Sequence, residues 1–191
     1  FDRGFARRTG IARPAAMARW PSNGGAEAIL ALRDGRFLAF AEAADGAGGG
    51  TDALVWRGDP TEPGAKAERF AYVAPAGFRV TGAAQLPDGR LLLLHRRLTF
   101  PAGFSASLGT VDAWAIRPGA VVRAREIARL APPLTVDNME GLAVRAAPGG
   151  TTIWVIGDNN FTALQRTLLM RFFLPDSKKP EAPAPGFDVL Q

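Results

Sequence analysis

The chain has 191 residues, 47% of them hydrophobic and 21% charged, with a formal net charge of +5 and no cysteine. That balance excludes a disordered chain, and the missing cysteines exclude disulfides, a thiolate metal site and a cysteine nucleophile. The basic residues are dispersed, with Arg7-Arg8, Arg96-Arg97 and Lys178-Lys179 the only adjacent pairs, and no window nears eighteen apolar residues; neither a nucleic-acid-binding stripe nor a membrane span is expected.

Read in chain order, residues 1–22 precede the first strand-like runs. A first pair of strand-like runs follows in EAILALRDGRFLAFAE from Glu27, broken at Asp34-Gly35, with further strand-like pieces at 52–57 and 67–73. The pattern returns in TGAAQLPDGRLLLLHRR from Thr81, broken at Asp88-Gly89 and followed by pieces at 108–116 and 121–130. A third copy, EGLAVRAAPGGTTIWVIGD from Glu140, turns at Gly149-Gly150 and is followed by a piece at 168–174. Asp-Gly and Gly-Gly between alternating apolar runs predict type I′ hairpins. Residues 175–191 form a Pro-rich segment that reads as a disordered tail.

The hairpins recur at about 54 to 60 residues, measured from Gly35 to Gly89 to Gly149. Four short strands per repeat predict an all-β fold, a β-propeller with blades at about 23–78, 79–133 and 134–174. Three four-stranded blades cannot close a ring, so a larger one is expected, with six blades the leading count. The missing part is supplied by residues before Phe1 or by a second copy, and residues 1–22 read as the tail of a preceding blade. The inner strands AILAL, AAQL and GLAV are expected to be sheltered on both faces. Trp56, Trp114 and Trp154 are expected on strands in the inter-blade core.

Polar residues concentrate where the hairpins meet the expected propeller axis. Antiparallel pairing places Glu27 opposite Glu42 and Glu140 opposite Asp158. Facing carboxylates need a proton or a cation between them. Oxygen ligands with amide carbonyls nearby suit Ca²⁺, and a single histidine with no cysteine argues against zinc. The cluster Asp137, Asn138, Glu140, Asp158, Asn159 and Asn160 is richer in oxygen than turn capping requires. Asp34 and Asp88 are turn chemistry. His95 is expected as a solvated strand-end residue and is the one imidazole candidate for catalysis, with Glu140 and Asp158 as carboxylate candidates.

The order NGGAEAI, GFRVTGAAQLPDGRLLLLHRR, PPLTVDNMEGLAV and WVIGDNNFTALQRTLLMRF resembles the second half of the phytase-like (esterase-like) propeller family, over roughly 21–174. The resemblance implies calcium-assisted phosphoester or ester hydrolysis at the axial face. Matched by position, Glu27, Asp137, Glu140 and Asp158 would hold metal, and Arg79, Arg96 and Arg166 would hold a small anionic or ester substrate. It also implies a bacterial protein, periplasmic or secreted. Three positions depart from the family's pattern: Gly82 replaces an acid, His95 a Glu and Asn159 an Asp. A non-catalytic propeller binding a small anion or a partner protein is the alternative.

Overall fold

The computed structural model describes residues 6–7, 10–11 and 14–176. Twelve strands are formed: β1 (Ala26–Ala31), β2 (Phe37–Asp45), β3 (Thr51–Trp56), β4 (Glu68–Val73), β5 (Arg79–Gln85), β6 (Leu91–Thr99), β7 (Gly103–Val111), β8 (Val121–Arg123), β9 (Arg125–Leu130), β10 (Met139–Ala147), β11 (Gly150–Gly157) and β12 (Leu169–Pro175). They make three sheets, ordered β1-β2-β3-β4-β8, β5-β6-β7-β9 and β10-β11-β12. The protein is all-β, and among the described residues the helical pieces are short 3₁₀ turns.

The four consecutive leucines of β6 explain the stacking. Successive side chains on a strand point to opposite faces. Leu91 and Leu93 join Leu38, Phe40, Val55, Phe70 and Tyr72 in a core between the first and second sheets. Leu92 and Leu94 join Ile153, Val155 and Met139 in a core between the second and third. The second sheet is therefore the middle layer. The outer face of the first sheet carries Ala39, Leu54 and Trp56, covered by Ala16, Met17 and Trp20. Trp56 thus lies in a core, against the segment that precedes β1 and not between two of the three sheets.

Four local expectations need correction. The Asp34-Gly35 and Asp88-Gly89 hairpins have three-residue loops, closed by Leu32 N–H to Arg36 O at 2.8 Å and Leu86 N–H to Arg90 O at 2.8 Å. Only the glycines have positive φ, +88° at Gly35 and +96° at Gly89. A type I turn followed by a left-handed glycine meets that description, and type I′ does not. In the third hairpin Ala147 pairs with Gly150, so the turn is Pro148-Gly149; proline's fixed negative φ rules out type I′ there too.

The expected strand over 121–130 is two strands. Gly119 N–H bonds Arg69 O at 2.7 Å and Ala71 N–H bonds Ala120 O at 2.8 Å, which docks β8 parallel to β4 at the edge of the first sheet. After Ala124 the chain crosses to β7 as β9. Trp114 stands in the 3₁₀ turn Ala113–Ala115 and is 74% exposed, so it is no core residue. Of the inner strands, β5 is flanked by β1 and β10 and is mostly buried, whereas β1 and β10 each leave one side open. The tail from 177 onward, and residues 1–5, 8–9 and 12–13 of the N-terminal segment, lie outside the described residues.

Candidate functional site

Each of the first strands of the three sheets carries a bulge at the same place. It falls between Ala26 and Ala28 in β1, Val80 and Gly82 in β5, and Met139 and Gly141 in β10. The extra residues are Glu27, Thr81 and Glu140. A bulge removes a residue from the ladder and re-aims its side chain. The facing pairs expected from simple antiparallel register are therefore not made: Ala26 pairs with Ala41, and Met139 pairs with Gly157.

The charge at this end of the sheets is organised by Arg96, near the end of β6. Its Nη2 donates to Glu42 Oε1 at 2.7 Å and its Nη1 donates to Glu140 Oε1 at 2.8 Å and to Asn138 Oδ1. Glu42 comes from β2, Arg96 from β6 and Glu140 from β10, so one guanidinium joins all three sheets. Asn138 Nδ2 also donates to Glu140 Oε1 at 2.8 Å. Arg79, cross-strand partner of Arg96, lies 4.0 Å from Glu42 Oε2. Glu42, expected opposite Glu27, is thus the acid that two arginines share. Burial holds the Glu27 carboxyl above its ordinary range, and the Glu42 and Glu140 charges push the same way while Arg96 opposes them.

Beside this network is a cavity of about 520 Å³ lined by Glu42, Arg79, Arg96, Arg97, Asn138 and Asn160, among others. Of the arginines named from the sequence, Arg79 and Arg96 line it. Arg166 does not; its backbone N–H donates to Asp137 Oδ2 at 2.8 Å and its side chain is exposed. Arg97, which the sequence reading passed over, lines the cavity with its guanidinium 4.6 Å from the Phe78 ring centre.

His95 is a correction. It is fully buried rather than solvated at a strand end. Nδ1 lies 3.1 Å from the Ser107 carbonyl, which can only accept, so Nδ1 carries the proton and Nε2 accepts from the Tyr72 hydroxyl. The two rings stack, 5° from parallel, between the first and second sheets. Burial lowers the His95 pKa to about 4 and raises that of the Tyr72 phenol. A neutral imidazole with both nitrogens engaged, outside the cavity, has no access to a substrate there. Gly82 also has a packing reason, since a Cβ at that position would stand 3.1 Å from Leu142 Cβ and 3.5 Å from Leu94 Cβ.

The calcium expectation can be tested on the donors themselves. Asp137 Oδ1 accepts from the Asn138 N–H at 2.8 Å, its Oδ2 from Arg166, and Asp158 Oδ1 from the Asn160 N–H at 3.0 Å. These two aspartates stabilise loop backbone. Glu27 and Glu140 do come together, but with Glu42 and around Arg96. Among the described residues no group of three or more His, Cys, Asp and Glu side chains is placed to hold a metal ion. The arrangement does not fit a calcium site built from the four nominated residues.

A family model described as "Phytase-like: Esterase-like activity of phytase" matches residues 1–161. No curated protein and no solved structure matches the chain. The family match extends further toward the N-terminus than the likeness read from the motifs, and it ends before Arg166 and β12.

Proposed function

The chain belongs to the phytase-like family, and on that premise we propose that it forms three consecutive blades of a β-propeller whose axial face binds and hydrolyses an anionic ester. The observation that carries this reading is the cavity where Arg79, Arg96 and Arg97 converge. Guanidinium groups make paired, charge-assisted hydrogen bonds to phosphate and carboxylate oxygens. Arg79 has the freest fork, with a side chain 57% exposed and only a distant contact to Glu42. Arg97 is steadied over Phe78. Arg96 sets the local charge and positions Glu42 and Glu140.

The cavity lining includes no serine, cysteine, threonine or lysine, so water is the nucleophile in this reading. Glu42, the carboxylate that lines the cavity, takes the proton from the attacking water. The water oxygen bonds to the phosphorus or acyl carbon, the P–O or acyl C–O bond to the leaving group breaks, and the proton taken from water passes to the departing alkoxide, which leaves as the alcohol. The same lining also supports a binding-only reading, in which a small anion is held and nothing is turned over. The propeller reading further supposes that the outer face of the third sheet receives another sheet, from the rest of a longer protein or from a second copy. Ile156, Leu169 and Phe173 are 44%, 69% and 54% exposed there.

Hydrolysis of p-nitrophenyl phosphate and p-nitrophenyl acetate by the whole chain tests the proposal, with phosphate binding followed by calorimetry. Arg79→Met should raise KM about tenfold or more, since a charge-assisted hydrogen bond is worth roughly 1.5–3 kcal/mol. Phosphate binding without turnover would select the binding-only reading. Neither binding nor turnover would remove both.

A further inference from the structure

Three carboxylates brought together at the ends of three sheets require compensation. Glu42 is the most confined of them, with a side chain 11% exposed. Its charge and that of Glu140 both raise the energy of a negative charge on Glu27. What stands at the point where they meet is the Arg96 guanidinium, itself 23% exposed and bonded to two of the three carboxylates and to the Asn138 amide oxygen.

These ligands are the oxygen donors that a hard divalent cation would take. A guanidinium has no lone pair to offer and a fixed planar fork of donors, so it satisfies several oxygens from one position without solvent. It is also tethered to β6, so its local concentration does not depend on the medium. With Arg79 at 4.0 Å, two positive charges face three negative ones. Burial, with the charges of Glu42 and Glu140, holds the Glu27 carboxyl above its ordinary range.

We propose that Arg96 is the built-in cation of this site: its tethered guanidinium does for Glu42 and Glu140 what a bound divalent ion would do, so the site has no calcium requirement. The inference concerns charge compensation and stands whether the site hydrolyses an ester or only binds an anion.

The test is thermal unfolding and calcium titration calorimetry of the whole chain, in calcium chloride against sodium chloride at matched ionic strength. The wild-type midpoint should not move with calcium. Arg96→Met should be destabilised, its midpoint falling by about 4 °C or more in either salt. Glu42→Gln and Glu140→Gln combined with Arg96→Met should restore the midpoint in either salt. Calcium stabilisation of the wild type that is lost in Glu140→Gln would overturn the proposal. So would an Arg96→Met chain as stable as the wild type. If Arg96→Met does not fold in any medium, the triple variant decides: recovery supports the proposal, and failure to recover overturns it.

Discussion

His95 is neutral because it is buried away from water, with Nδ1–H donating to the Ser107 carbonyl and the Tyr72 hydroxyl donating to Nε2. Its folded pKa of about 4 lies below the ordinary value of 6.5. Between these two values the unfolded chain binds a proton that the folded chain refuses, so stability falls as pH falls from about 6.5 toward 4. At 1.36 kcal/mol per pH unit the loss approaches about 3 kcal/mol. Denaturant unfolding across that window should show the slope, and His95→Gln should flatten it. Gly82 yields a second expectation at this scale. Gly82→Asp would press a carboxylate between β5 and β10 against Leu142 and Leu94. It should lower stability by about 2 kcal/mol or more in urea titration and gain no metal binding in return.

At the scale of elements, the 3₁₀ turn Ala15–Arg19 is held on the first sheet by one buried acid. Asp52 accepts from Trp20 Nε1 at 2.6 Å and from Arg69, whose guanidinium also reaches Ala16 O. Asp52 is 5% exposed, so both donors have it as a shared anchor. Asp52→Asn should destabilise by about 2 kcal/mol, a buried-pair value reduced because Arg69 is half exposed. Trp20 should become more solvated, giving a red shift in tryptophan emission that a variant such as Asp59→Asn does not produce. Strand β8 makes the complementary point. Three residues taken from the stretch between β7 and β9 pair with β4, so the boundary between the first two sheets is crossed by the chain and is not a linker.

For the whole molecule, the middle sheet is covered on both faces and the first sheet is covered outside by residues 16–20. The third sheet is covered on one face only. Its other face shows Ile156, Leu169 and Phe173, with Arg145 over Trp154. An exposed apolar sheet face of this kind favours association. Sedimentation velocity of the chain should show concentration-dependent self-association. Leu169→Lys with Phe173→Lys should suppress it without lowering the unfolding midpoint, because both side chains already face solvent.

The strands and their spacing were legible in the amino-acid order, because alternation and glycine-marked turns are local properties. The assignment of faces was legible as well. Counting by twos from Leu91 and Leu93 puts His95 in the core with Tyr72, and counting from Leu92 and Leu94 puts Arg96 toward β10; that count would have found the buried histidine. What local order cannot contain is which bulge shifts a register, which edge strand changes sheet and which charge ends up among which acids. Those depend on contacts between residues more than forty positions apart, as between Arg96 and Glu140 or Arg96 and Glu42. Of the carboxylates and arginines that the family likeness named, Glu140 and Arg96 are bonded to each other and Arg79 lies beside Glu42. Only the folded arrangement put a guanidinium at the centre of the acids, since the packing of three sheets brings three strand ends to one point.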